Sequence, residues 1–276
     1  MLHISSFSHN ILMQARENLF ENPVEGFKYY REKGMEYSDI IGSFFDLYPL
    51  DEYMKYYELS GMKPGSLIIG NNFAARDKEE REKNICILKE YMEQMSKYGI
   101  GDMMLSPMTE PAKNQQEFNE LRDLTIEGYG LLVDYAKKIG VGLSFENRSS
   151  LERVDSRTED IKYILDNVPG LDFVLDTANS YVVDEDVWEM YNTLRDRIRH
   201  FHFKDWVKDE NGTIKKNGVA CLEGCALGKG FLPLKELLTT IVKDGFDGRL
   251  SIEISTYNQV GIEVLDESIA FLQAGY

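Results

Sequence analysis

The sequence predicts an α/β protein, a single (β/α)8 barrel, and three observations lead there. Short apolar runs alternate with amphipathic helices along the whole chain, the rhythm of parallel strands joined by helical crossovers. Eight such runs can be read. The length of 276 residues lies close to the roughly 250 usual for one α/β barrel and is ample for a full core. With no linker, low-complexity stretch or abrupt composition shift, 1–276 reads as one domain.

The runs are LHISSF near residue 2, SDIIGSFF near 38, GSLIIGNN near 65 and GDMMLSPM near 101. Then follow VGLSFEN near 141, LDFVLDT near 171, IRHFHFKD near 198 and GRLSIEIS near 248. Between them, 78–98 and 115–139 carry apolar residues at three- and four-residue steps, as helices do. The second ends at Gly140, a common helix terminator. One segment breaks the rhythm. Residues 206–230 hold too many Gly and Asn for a helix, and DENG and KKNG read as tight turns. A long loop with a small hairpin is expected there, after strand 7, where a barrel carries its catalytic loops; it either serves as a lid or is a mere excursion of the chain.

Composition narrows the partners. Hydrophobic content of 43% and charged content of 28% are ordinary for a soluble globular protein. With 31 basic and 47 acidic residues, a net charge of −16 repels a phosphate backbone, so nucleic acid is a poor partner. Cys86, Cys221 and Cys225 do not make a disulfide framework and are expected to be free thiols. The N-terminus lacks a cationic start before an apolar core, and no stretch reaches the roughly 18 apolar residues needed to span a bilayer. The expectation is a soluble, cytoplasmic protein, as a monomer or homo-oligomer.

The last four runs carry the chemistry. Side chains of a strand alternate faces with a period of two. Val141, Leu143 and Phe145 share one parity, and Gly142, Ser144 and Glu146 the other. Phe173 and Leu175 stand against Asp172, Val174 and Asp176; Phe201 and Phe203 against His200, His202 and Lys204. Leu250, Ile252 and Ile254 stand against Ser251, Glu253 and Ser255. The apolar parity must pack on the helices and the polar one must face the interior. Glu146, Asp176, His202 and Glu253 therefore point inward near the C-terminal ends of their strands. A lone strand-end Glu is usually solvated, and a lone His in an apolar run is usually a core residue. Four that agree in parity and height are a different matter. Three converging carboxylates repel unless a cation joins them, and hard oxygens with one imidazole suit Mn²⁺, Mg²⁺ or Co²⁺, with Zn²⁺ also admissible.

In this order the segments SFEN, VLDTAN, IRHFHFKDW, LGKG and SIEI resemble the second half of the xylose isomerase-like TIM-barrel superfamily. Its members include sugar-phosphate isomerases and epimerases, D-tagatose 3-epimerase-like enzymes, inosose dehydratase and endonuclease IV. The resemblance runs over nearly the whole chain, with specific motifs only in 141–255. It implies one metal on Glu146, Asp176, His202 and Glu253, with Glu146 and Glu253 as the acid/base pair. The His-x-x-Asp signature of strand 7 is intact as His202 and Asp205. A departure lies three residues after Asp176, where the family's usual His is replaced by Asn179.

Several companions have two readings. Lys204 either contacts substrate oxygens or pairs with an acidic neighbour; His200, one layer deeper, reads as structural. His9 either reaches the substrate or lies on the surface. Phe7 and Trp206 either wall a sugar ring or pack in the core, and Gly228 and Gly230 serve their turn. The function expected is a metal-dependent sugar isomerase or epimerase acting through an enediolate, with Mn²⁺ as first choice and a small sugar as partner. No Gly-rich phosphate cradle stands out, which favours an unphosphorylated substrate. A lyase or dehydratase acting on a keto-sugar or oxidised glycoside is the alternative, because the same carbanion expels a β-leaving group. A non-catalytic sugar-binding barrel is the third. Nuclease chemistry is disfavoured: a multinuclear zinc site draws on many histidines and this chain has four.

Overall fold

The structure, a computed structural model, describes residues 2–216, 218–254 and 261–275. Ser255 and Asn217 of the KKNG turn lie outside them. The strands are β1 (His3–Phe7), β2 (Tyr37–Ile41), β3 (Lys63–Asn71), β4 (Asp102–Pro107), β5 (Gly142–Glu146), β6 (Leu171–Asp176), β7 (Ile198–Phe203), β8 (Asp205–Lys208), β9 (Ile214–Lys216), β10 (Val219–Cys225) and β11 (Arg249–Ile252). The helices are α1 (Ser8–Arg16), α2 (Pro23–Glu32), α3 (Leu50–Ser60), α4 (Lys78–Tyr98), α5 (Gln115–Lys138), α6 (Thr158–Asn167), α7 (Asn179–Val182), α8 (Val187–Leu194), α9 (Leu234–Lys243) and α10 (Ile262–Gln273). Eight strands close into a barrel in the order β1-β11-β7-β6-β5-β4-β3-β2. All eight apolar runs of the sequence are its staves. Among the described residues no helix is long and apolar enough to cross a membrane.

The chain divides into two compact units, 1–65 with 176–178 and 200–276, and 66–175 with 179–199. In the first, β1 pairs with β11 and β11 with β7, all parallel, so that Ser5, Ser251 and His202 share one level. Phe201, Phe203, Leu250 and Ile252 are fully buried on the opposite parity. In the same unit α9 buries Leu237, Leu238 and Ile241, and α10, which packs on β11, buries Leu265, Ile269 and Leu272. Each such side chain contributes roughly 1.5–3 kcal/mol by leaving water.

In the second unit β3, β4, β5 and β6 pair in turn, with Leu67 beside Met103, Met103 beside Leu143 and Phe145 beside Phe173. Tyr129 of α5 packs on Phe73 and Phe145, with ring centroids 4.8 and 5.4 Å apart. The helix starts are capped locally: Asp77 accepts the amide of Glu80 at 2.8 Å, and Asn114 that of Glu117 at 3.0 Å. Gly140, with φ +74°, follows α5 in the left-handed conformation that favours glycine. Asp172, which shares the inward parity, is engaged at the strand's start by Arg199, which also pairs with Asp102 at 2.6 Å.

The segment after β7 holds more order than expected. The small hairpin is there as β9 and β10, paired antiparallel, and β8 joins it in a three-stranded sheet of order β8-β10-β9. The sheet begins at Asp205, directly after the barrel stave. The DENG turn holds because Asp209 accepts the amides of Asn211 and Gly212 at 2.9 and 3.0 Å, while a Cβ at Gly212 would strike the Leu222 carbonyl. Glycines and asparagines at the turns concealed strands of three to seven residues, too short to show a clear alternation.

Candidate metal centre

The first unit assembles most of the site. Lys204 and Glu253 stand one interior level beyond His202 and Ser251, and the ladder continues past β11 because the Glu253 amide donates to the Phe203 carbonyl at 3.0 Å. Glu253 Oε2 lies 3.2 Å from His202 Nδ1, and its Oε1 lies 2.6 Å from Lys204 Nζ. Lys204 Nζ is also 2.8 Å from Asp176 Oδ2. The other Asp176 oxygen accepts the Ala178 amide at 2.8 Å. Burial by itself would raise Glu253, but the Lys204 ammonium and His202 hold its carboxyl well below the usual carboxylate range.

Glu146 ends β5 and is buried. Glu146, Asp176, His202 and Glu253 each offer a nitrogen or carboxylate oxygen, and these four atoms lie within 4.8 Å of one another. Ligands on opposite sides of an ion at roughly 2.1–2.3 Å stand about 4.2–4.6 Å apart. The donor set, its spacing and its burial thus fit one divalent ion, with oxygen donors in the majority.

The motif residues between the ligands turn out to be clamps. Thr177 Oγ1 donates to the Lys204 carbonyl at 2.9 Å and accepts the Lys204 amide at 3.0 Å, and its own amide donates to the His202 carbonyl. The ends of β6 and β7 are thereby locked in height. Asp205 accepts the amides of Trp206, Gly228, Gly230 and Leu232 at 2.9–3.3 Å, so the His-x-x-Asp and LGKG motifs form one structural piece. In the second unit Asn179 Nδ2 donates to the Asn147 carbonyl at 2.9 Å. The residue that replaces the family's His therefore ties down the backbone immediately after Glu146.

The companions fall as follows. The Phe7 ring meets that of His202 edge-on at 4.9 Å, and His9 stacks on Phe44 at 5.3 Å. Burial lowers His9 to about 4 against the opposing pull of Glu253, so the imidazole is neutral at pH 7. Its Nδ1 is buried without a hydrogen-bond partner among the described residues. Trp206 is 2% exposed, lies beside the Lys204 ammonium and donates from Nε1 to the Ala178 carbonyl, in the manner of a core residue. Lys204 pairs with acidic neighbours, the second of its two readings, and His200 is buried with its ring 5.2 Å from that of His202.

Two carboxylates went unnoticed in the sequence. Asp39, on β2, is fully buried and accepts Ser5 Oγ and Ser251 Oγ at 2.7 and 2.6 Å, making a polar floor. An aspartate inside the apolar run SDII was the available signal. Asp155, in the loop after β5, is also fully buried, and nothing in its neighbourhood of the sequence marks it. A cavity of about 390 Å³ lined by Arg122, Arg157, Asp160 and Tyr163, among others, includes none of these groups.

With the geometry in place, comparison with known proteins gives a consistent picture. The sequence profile described as xylose isomerase-like TIM barrel matches residues 28–275. The chain is 25% identical to fructoselysine 3-epimerase of Escherichia coli O157:H7 over 193 residues, 67% of this chain and 64% of that protein. It is 29% identical to inosose dehydratase of Bacillus licheniformis over 132 residues, 45% of this chain and 40% of the other. The chain thus spans less than two thirds of these relatives' lengths. Among solved structures, the IOLI protein with a bound zinc atom superposes with a TM-score of 0.74 at 16% identity, over 99% of this chain and 96% of that one, a likeness of fold.

Proposed function

The chain belongs to the xylose isomerase-like TIM-barrel family, and from that premise we propose that it is a divalent-metal-dependent sugar isomerase or epimerase acting through an enediolate. The observation that carries this reading is the convergence of Glu146, Asp176, His202 and Glu253. These four would hold one ion, Mn²⁺ first, with Mg²⁺, Co²⁺ or Zn²⁺ as substitutes. When bound, such an ion supplies polarisation of a sugar carbonyl and its neighbouring hydroxyl. Glu253, kept ionised by Lys204 and His202, is disposed to remove the adjacent C–H proton, and Glu146 to return one. Return to the opposite face of the same carbon gives the epimer; return to the neighbouring carbon gives the isomer.

Phe7 and neutral His9 would wall the sugar, and Lys204 would hold Asp176 and Glu253 in place beside it. Trp206 and Asn179 would support that arrangement from behind, through Lys204 and Asn147. The sheet β8-β10-β9 is proposed as the lid. The alternative, elimination from a keto-sugar, draws support from the likeness to inosose dehydratase; the carbanion is shared and only the leaving group differs.

The test is incubation of Mn²⁺-loaded protein with ketoses and 3-oxo-sugars in D₂O, following C–H exchange and product. Exchange with a rearranged sugar supports the isomerase or epimerase. Exchange with loss of water or aglycone moves the assignment to lyase. No exchange on any sugar, with metal bound, leaves a binding barrel.

A further inference from the structure

The ammonium of Lys204 lies inside the carboxylate cluster rather than at its rim. The residue is 4% exposed, and its Nζ bridges Asp176 Oδ2 and Glu253 Oε1 at 2.8 and 2.6 Å. A lysine buried so deeply loses most of its hydration, and only ion pairing compensates it. Its backbone is fixed on both sides of the Cα, at the amide and at the carbonyl, by Thr177 Oγ1, so the chain cannot easily carry the amine elsewhere. The Trp206 ring closes another side, 5.8 Å from Nζ.

Formal charges then decide what this lysine does. Glu146, Asp176 and Glu253 bring three negative charges, and a divalent ion neutralises two. We propose that Lys204 is a resident counter-cation that supplies the third positive charge, a positioning residue that orders Asp176 and Glu253 and at the same time limits how tightly the divalent ion is held. The inference rests on the metal-centre reading above and deepens it. Ordering two short carboxylate side chains in advance strengthens binding modestly. Repulsion between a single and a double charge a few ångströms apart, in a poorly hydrated site, is the larger effect, so the net action of Lys204 is to weaken the ion's hold. Negative charge developing on a substrate oxygen then meets a centre of zero net charge instead of an anionic one.

The test compares wild type with Lys204→Met, similar in length and uncharged, by Mn²⁺ titration calorimetry and by thermal unfolding in EDTA and in saturating Mn²⁺. The expected result is binding at least tenfold tighter in the variant, a lower Tm in EDTA, and recovery of most of that loss with Mn²⁺. Lys204→Gln carries the same test where the methionine variant does not fold. Folding of either variant only in the presence of Mn²⁺ is the extreme form of the expected result. Equal or weaker Mn²⁺ binding, or a Tm loss that persists in saturating Mn²⁺, overturns the counter-cation role and makes the lysine a structural residue; failure of both variants to fold with Mn²⁺ does the same. A wild type that binds no Mn²⁺ overturns the metal centre itself, a result read before any variant is made.

Discussion

Gly230 sits so close to Asp205 that its amide donates to the Asp205 carboxylate at 3.0 Å, while a Cβ at 230 would run into that carboxylate and the Trp206 carbonyl. Both obstacles are held by the backbone and cannot step aside. Gly230→Ala must therefore break the four-amide cradle around Asp205, at a cost of about 2–4 kcal/mol. Asp205→Ala removes the acceptor itself and should cost a similar amount. Urea unfolding of both variants checks this, and a loss under 1 kcal/mol in either would show that the cradle is dispensable.

Asp155 should write its own signature into the pH dependence of stability. Burial pushes its carboxyl up to about 7, with Arg148 and Arg153 pulling it down and Glu146 adding to the rise. Neither carboxylate oxygen has a hydrogen-bond partner from another described residue. Below the ordinary aspartate range the folded and unfolded chains both hold the proton. As pH rises towards 7 the unfolded chain ionises first, and stability drains away by up to about 4 kcal/mol for the full shift. Asp155→Asn removes that slope, so the variant's stability relative to wild type should climb between pH 4 and 7 and level above it. Parallel curves would refute the assignment.

How much of this was legible follows from the same physics. The four ligand candidates were readable because a strand's alternation is strict: in VGLSFEN, LDFVLDT, IRHFHFKD and GRLSIEIS one apolar parity leaves no choice about where Glu146, Asp176, His202 and Glu253 point. Lys204 shared that parity, yet whether its amine faced a sugar or Glu253 depends on a side-chain path that periodicity does not encode. Asp155 escaped notice because a loop has no period; its burial is set by bonds such as the Arg148 amide to the Asp155 carbonyl at 2.8 Å. The β8-β10-β9 sheet, beyond its hairpin, escaped for a related reason, since its strands are defined by partners rather than by pattern.

Glu253→Gln and Glu146→Gln separate metal binding from proton transfer. Each keeps its side chain's shape and removes one ligand charge, so Mn²⁺ affinity should fall at least tenfold. At saturating Mn²⁺, C–H exchange should still be down by about 10²–10⁴, the usual contribution of a positioned general base. For Glu253→Gln the Lys204 ammonium also loses a partner at 2.6 Å, so this variant should be the less stable of the two in EDTA. Full exchange in either variant would remove that glutamate from the acid/base pair.

Asn179 offers a selective probe, because its side chain holds the backbone next to a ligand candidate. Its Nδ2 holds the Asn147 carbonyl at 2.9 Å, one residue past Glu146. Asn179→Ala should cost about 1 kcal/mol of stability, the net worth of a neutral hydrogen bond. Its larger effect should be on the ion: with Asn147 released, Glu146 loses its support, and outer supports of metal ligands are typically worth about tenfold or more in affinity. Asn179→His keeps a donor at the same place and should fall between alanine and wild type in Mn²⁺ affinity. If alanine and wild type bind Mn²⁺ equally, Asn179 merely braces the loop after β5, and Glu146 is oriented by the barrel alone.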